Sequence, residues 1–213
     1  MTTVILIRHG ESEANRKNVF AGHIDPDLEE QGLRQAKLTA RYVAENYQVD
    51  AVYASDLTRA SKTAQCLGEL LQMPVIKEKG LREIDAGKWE GVSFNEVPVL
   101  YPEEFSVWVR DLGSARCPGG ESVRELGARV FKTLTSIAEK EADKTVVVAT
   151  HATPIRAMQS IVTTGDVRAM KDIPWASNAS LTVFTYEGGK WKLVEASIDG
   201  HLSDCKTALP DTV

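Results

Sequence analysis

The chain is poor in the features that mark membrane, secreted and nucleic-acid-binding proteins. No apolar segment approaches the roughly 20 residues that a membrane span needs. The apolar run near the N-terminus, Val4 to Ile7, is only four residues long and has no basic stretch before it, so no signal peptide is expected. Cysteine is scarce: Cys66, Cys117 and Cys205 are an odd number without CxxC spacing. That argues against a disulfide framework or a zinc site and for a reducing, cytoplasmic setting. Positive charge is not in excess, with 25 Lys and Arg against 30 Asp and Glu and a formal net charge of −5. Nucleic acid and anionic membranes are therefore not expected as partners, and a bound anion must be held by a few placed cations. Neither GxGxxG nor GxxxxGK[ST] occurs, which argues against a nucleotide-binding Rossmann or P-loop protein.

The material present suits one globular domain over residues 1–213, since 213 residues at 43% hydrophobic can bury a full core. Val4-Ile5-Leu6-Ile7 reads as a strand buried on both faces, running straight into Arg8-His9-Gly10. An arginine and an imidazole are poor core material, and ligands of open α/β sheets bind at the carboxyl ends of strands. Gly10 would let the backbone approach a bound group or adopt a positive φ. On these residues alone, a surface loop that happens to hold Arg-His-Gly is an equal reading.

Residues 10–28 read as loop, with Gly22, Asp25 and Pro26 as breakers. Helical spacing over 29–46 places Leu33, Ala36, Ala40, Val43 and Ala44 on one face. Asp50–Ala54 reads as a strand, followed by a helix to Leu71 capped by Ser55 or Asp56, and Pro74–Lys77 as a third strand. Alternating β and α units predict an α/β fold: a three-layer α/β/α sandwich around a mostly parallel sheet. Glycines, prolines and aromatics over about 86–120 read as a helical insertion covering the active site, with the aromatics mostly packing. Ser122-Val123-Arg124-Glu125 is a capping box opening a helix to about Glu141. Thr145–Ala149 is a buried strand ending at Thr150-His151-Ala152, and Pro154 sits in the first turn of the next helix. A β-hairpin turns at Glu187–Lys190, and a mobile tail is expected over about 202–213.

In this arrangement His9, Arg59, Glu83 and His151 all fall at the same edge of a parallel sheet. The two histidines there, together with Arg8 and Arg59, look built for a phosphate, because arginine forks suit phosphate oxygens and charge stabilisation dominates phosphoryl transfer. Nearby arginines lower an imidazole's pKa and keep it an unprotonated nucleophile. A carboxyl beside a phosphate dianion shifts upward, which suits Glu83 to acid work. Taken singly, Glu83 is an ordinary loop acid, Glu121 a neighbour of the capping box, and Glu11 and Glu13 first-turn acids. His23 and His201 read as surface residues, and Arg156 as either a partner behind the site or a helix-surface residue.

Arg8-His9-Gly10-Glu11-Ser12-x-x-Asn15 resembles the signature of the histidine phosphatase (phosphoglycerate mutase-like) superfamily. The likeness continues in order through Ser55-x-x-x-Arg59-Ala60-x-x-Thr63-Ala64, Leu81-Arg82-Glu83-Ile84, Pro118-Gly119-Gly120-Glu121-Ser122 and Thr150-His151-Ala152. The resemblance implies a phosphohistidine on His9, with Glu83 as proton donor and acceptor. Arg8, Arg59, His151 and Asn15 would hold the phosphoryl group, and Ala21, Gly22 and Ala152 would border it, with no metal and no cofactor. Ala152 stands where the family usually has glycine, and Leu28-Glu29-Glu30 replaces a Leu-Thr helix start. Leu81–Gly91 is similar to the phosphatase branch, which includes α-ribazole phosphatases and broad-specificity phosphomonoesterases, and lacks the Glu-Arg-His-Tyr-Gly-type segment of the cofactor-dependent mutases. The expected activity is hydrolysis of a small-molecule phosphate monoester, with some apolar surface on its leaving group, by a monomer or homodimer. Mutase-type phosphoryl transfer is the alternative, and a non-catalytic phospholigand binder a more distant one.

Overall fold

The computed structural model describes residues 1–207, and its central strands are the valine- and isoleucine-rich runs. In chain order the elements are β1 (Thr2–Arg8), α1 (Glu13–Lys17), α2 (Glu30–Asn46), β2 (Ala51–Ala54), α3 (Thr58–Leu71) and β3 (Val75–Lys77). They continue with α4 (Val97–Leu100), α5 (Pro102–Arg110), α6 (Val123–Lys140), β4 (Thr145–Thr150), α7 (Ala152–Thr164), β5 (Leu181–Glu187) and β6 (Lys190–Ile198). The sheet runs β3-β2-β4-β1-β5-β6. β3, β2, β4 and β1 are mutually parallel, while β5 pairs antiparallel with β1 and β6 with β5.

Both faces of the inner strands are apolar, which is why they read as continuous hydrophobic runs rather than alternating ones. Val4, Leu6, Tyr53, Val146, Val148 and Phe184 belong to one core cluster, which includes α6 and α7 residues such as Leu126, Leu134, Ile155 and Met158. Ile5, Ile7, Val52, Val147 and Ala149 belong to the other, with Ala40 and Val43 of α2 and Ala64 and Leu67 of α3. Two helical layers therefore sandwich the sheet. The insertion is a set of short helical pieces, with 3-10 turns at Gly87–Trp89 and Leu112–Ser114 flanking α4 and α5. Trp89 and Trp108 sink into the first cluster, and Phe20, Trp89 and Trp108 contact one another at ring-centroid distances of 5.1 to 5.7 Å.

The capping box at Ser122 and Glu125 forms as expected. Other local expectations are corrected. The polar stretch after β1 holds a short helix, α1, because Ser12 and Asn15 make a second capping box. Neither Ser55 nor Asp56 caps α3. Leu57 occupies that position, and Asp25, from a distant loop, accepts the Thr58 N–H at 2.6 Å. Glu29 begins α2 without a side-chain cap, its carboxylate being drawn to Arg16. Leu33 lies at the edge of its helix face and is 38% exposed. Gly10 takes no positive φ, and its lack of a side chain serves an approach to protein rather than ligand. A Cβ there would meet the Gly32 backbone, and one on Gly32 would meet the Glu11 backbone. The chain does not come loose at residue 202: Leu202 is fully buried, and Gln35 Nε2 donates to Cys205 O at 2.6 Å and to Thr207 Oγ1 at 2.8 Å. The remainder of the expected tail, 208–213, lies outside the described residues.

Candidate active site

Arg8 and Thr150 are register partners on parallel neighbours, so His9 and His151, one residue beyond each, emerge side by side at the carboxyl edge of the sheet. Their ring centroids are 5.2 Å apart. His9 Nδ1 lies 2.7 Å from Gly10 O. A carbonyl only accepts, so Nδ1 carries the proton and Nε2 keeps its lone pair. Burial, then Arg59 and Arg8, holds the His9 pKa well below its ordinary 6.5. His151 is fully buried, with Nε2 2.9 Å from Ser55 Oγ and Nδ1 without a partner. Burial, followed by Arg59 and His9, depresses its pKa as well.

Arg8 and Arg59 are 7% and 0% exposed. Among the described residues neither forms an ion pair within 4.0 Å. Their donors go instead to backbone carbonyls: Arg8 to Ala176, and Arg59 to Gly22 and Ile24 at 2.8 and 3.0 Å. The Nε of each is unpartnered. Burial lowers the Arg8 pKa to about 10, which leaves it charged at neutral pH. Glu83 acts electrostatically on both guanidinium groups without pairing closely with either, and two buried cations so placed are costly unless an anion completes the site.

Glu83 sits opposite, with Oε1 accepting the Ile84 N–H at 2.8 Å. Its loop is clamped from several directions. Thr150 donates to Leu81 O at 2.7 Å, His23 Nε2 lies 2.9 Å from Glu83 O, and Arg82 forms a two-bond pair with Asp56 at 2.6 and 2.7 Å. Arg129 of α6 donates to the carbonyls of Gly80, Arg82 and Glu83 at 3.0 to 3.2 Å while gripping Glu121 at 2.8 and 3.0 Å. Glu121 is thus an anchor of the acid loop and not a mere neighbour of the capping box. His23 is a partly buried loop partner rather than a free surface residue. His201 is drawn in too, with Nε2 2.8 Å from Thr39 Oγ1 and its ring stacked on Tyr42. Arg156 is 4% exposed, so it is not on the helix surface.

The cavity between these groups holds about 90 Å³ and is lined by Arg8, His9, Asn15, Arg59 and Glu83, with Ala21, Gly22 and Ala152 also at its walls. His151 packs against His9 and, fully buried, is not itself among the residues that line the cavity. Asn15 Oδ1 accepts from Ser12 N, Ser12 Oγ and Asn178 Nδ2 at 3.0 to 3.2 Å, which leaves its NH₂ group free to donate. Ala152 is the first residue of α7, a right-handed position that needs no glycine. The first-turn N–H groups of a helix lack internal acceptors and favour an anion.

Three contributors were not anticipated. Arg129 is one. Thr63 is another, its Oγ1 accepting the Gly10 N–H at 3.0 Å and donating to Arg59 O at 2.7 Å. The third is the strap at 176–180: Asn178 donates to His9 O at 3.0 Å, and Ala179, at φ 59, directs its N–H to Arg8 O and His9 O. The antiparallel sense of β5 was the available signal, since it brings the residues before Leu181 to the carboxyl end of β1. Among the described residues no group of three or more His, Cys, Asp or Glu is arranged to hold a metal ion, and no helix is long and apolar enough to cross a membrane.

Comparison with known proteins bears on this arrangement directly. The chain is similar to phosphoserine phosphatase 1 of Hydrogenobacter thermophilus, 35% identical over 207 residues and covering 96% of each chain. It superposes on Bacillus stearothermophilus YhfR with a TM-score of 0.90 at 24% identity, covering 95% of this chain and 100% of that one. It superposes on mycobacterial glucosyl-3-phosphoglycerate phosphatase with a TM-score of 0.85 at 27% identity, covering 92% and 99%. The profile of the histidine phosphatase superfamily, branch 1, matches residues 4–199. The chain belongs to branch 1 of the histidine phosphatase superfamily and is a phosphomonoester hydrolase.

Proposed function

We propose that the chain hydrolyses a small-molecule phosphate monoester, without a metal, through a phosphohistidine on His9. The observation that carries this reading is the free Nε2 lone pair of His9 beside two buried guanidinium groups that form no close ion pair among the described residues. Nε2 attacks phosphorus in line and the P–O ester bond breaks, with Glu83 giving its proton to the departing oxygen. The Glu83 carboxylate then takes a proton from water, the hydroxide oxygen attacks phosphorus, the P–N bond breaks, and phosphate leaves. Arg8, Arg59, the Asn15 NH₂ group, His151 Nδ1–H and the first turn of α7 supply the donors for the phosphoryl oxygens.

Two of the similar proteins are named for phosphoserine and for glucosyl-3-phosphoglycerate, and both are low-mass phosphate monoesters. The same class suits a cavity of about 90 Å³. The setting is a reducing cytoplasm, in keeping with three free thiols. The test is turnover of p-nitrophenyl phosphate in EDTA by the native protein and by His9→Ala. Turnover that survives EDTA and is lost in the variant supports the reading. Turnover that EDTA abolishes, or that His9→Ala retains, overturns it.

A further inference from the structure

A second cavity, of about 340 Å³, lies beyond the phosphate cavity and shares Trp108 and Trp175 with it as walls. Val109, Leu112, Ile173 and Pro174 make most of the remainder apolar, and Arg156, Lys171 and Asp172 supply its charges. Arg156 is 4% exposed and lies under the Trp175 ring at 4.0 Å. Its Nε donates to Ile173 O at 2.9 Å and its NH2 to Met170 O at 2.6 Å, while NH1 has no partner. A buried guanidinium N–H without an acceptor is costly and calls for an explanation. Lys171 is exposed and forms no ion pair among the described residues. The chamber is therefore walled by two indoles and carries one more cation than anion.

With the phosphoryl group against Arg8, His9 and Arg59, the alcohol continues along Trp108 and Trp175, the two indoles that the first cavity shares with the chamber. The other neighbouring cavity touches the first only at Val19 and carries Glu13 and Lys17, one acid to one base, with no orphaned cation. We propose that the chamber beyond Trp108 and Trp175 is the leaving-group subsite and that it takes a carboxylate. The favoured substrates are then phosphomonoesters whose alcohol is aromatic or apolar near the ester and ends in a carboxylate. Trp108 and Trp175 flank the apolar part, and Lys171 and Arg156 receive the charge. This rests on the phosphatase reading above.

The experiment compares 4-(carboxymethyl)phenyl phosphate with 4-ethylphenyl phosphate, two esters of similar size and electronics that differ in one carboxylate. In the native protein the ratio of their kcat/KM values is expected to favour the acid by about fivefold, the worth of one partly exposed charge pair. The preference resides in KM and shrinks in high salt. Lys171→Ala brings the ratio toward unity, and Lys171→Glu takes it below one. A native ratio near unity overturns the subsite while leaving the phosphatase reading intact, and so does a preference that survives Lys171→Glu. Absence of turnover for both esters overturns the phosphatase reading and the subsite with it.

Discussion

His9 and His151 meet edge to face at 62°, yet the two imidazoles are chemically different. His9 is fixed through Nδ1 by a backbone carbonyl and presents a free Nε2, whereas His151 is fixed through Nε2 by Ser55 and keeps Nδ1 without a protein partner. His9 is set to give a lone pair, while His151 meets a hydroxyl that can both donate and accept. A division of labour within a pair of identical side chains thus comes from which carbonyl or hydroxyl each one meets.

The first prediction concerns the site of phosphorylation. Because Gly10 O occupies Nδ1, acid-quenched enzyme turning over a substrate should carry its phosphoryl group on Nε2 of His9, read by mass spectrometry and phosphorus NMR. His9→Ala should lose kcat by on the order of 10³-fold or more. A phosphoryl group found on Nδ1 would mean that the ring is turned over in the working enzyme.

Stability should depend on pH through the same two rings. Each is neutral in the fold with a pKa well below 6.5, and burial is the largest cause for both. The unfolded chain binds a proton at each near pH 6.5 while the folded chain does not. Their contribution is therefore complete above that pH and falls below it, by about 1.4 kcal/mol per pH unit per ring, until the depressed folded pKa is passed. Half-exposed His201, also lowered by burial, adds a smaller change of the same sign. Urea midpoints at pH 7.5 and 5.5 measure this slope. His9→Asn should reduce it by the share of one ring, and an unchanged slope would show that the His9 pKa is not shifted by folding.

Arg129 should act on rate and not on binding. It touches no cavity-lining side chain except through the loop of Glu83, whose carbonyls it holds. Removing it lets the acid drift, and a displacement near 1 Å costs up to about 10²-fold in rate. Arg129→Ala is expected to lower kcat by about ten- to a hundredfold with little change in KM. Arg129→Lys should not restore it, because one ammonium cannot reproduce the planar fork that spans Glu121 and three carbonyls. A raised KM at unchanged kcat would refute the assignment.

Gly32→Ala should invert the usual helix preference. Alanine is ordinarily better than glycine by about 1 kcal/mol inside a helix. Here the added methyl would run into the Glu11 backbone. Overpacking of this kind costs about 1–3 kcal/mol, so melting temperature should fall, and kcat with it as the His9 loop is pushed. A higher melting temperature would contradict the interlock with Gly10.

Much of this was legible locally. Val146–Ala149 and Ile5–Ile7 announce strands buried on both faces, and the placement of His9, Arg59, Glu83 and His151 follows from which strand each one terminates. The supports were not legible, because each acts across the fold. Arg129 reaches Arg82 over 47 positions and Asn178 reaches His9 over 169. Nothing in the helical period of α6 marks Arg129 off from its other polar residues. Local capping rules failed at α3 for a related reason: Asp56 was taken by Arg82, and the Thr58 N–H was satisfied from Asp25 instead. The insertion's aromatics were rightly read as packing, although Trp108 and Phe94 also face the cavity.

The order of strands across the sheet carries a consequence for how the chain is made. β1 is made well before its partners, which are β4, pairing Thr3 with Thr145, and β5, pairing Thr3 with Thr185. Contacts so distant in sequence are slow to form. As the chain leaves the ribosome, the apolar β1 waits half-paired for β5, whose Thr185 follows its partner Thr3 by 182 residues. A nascent or truncated chain ending before the strap at 176–180 would have both histidines and both arginines and still no site. The same fragment would expose β1 as a sticky strand, so β5 and the strap before it act as a checkpoint on β1 and the His9 loop.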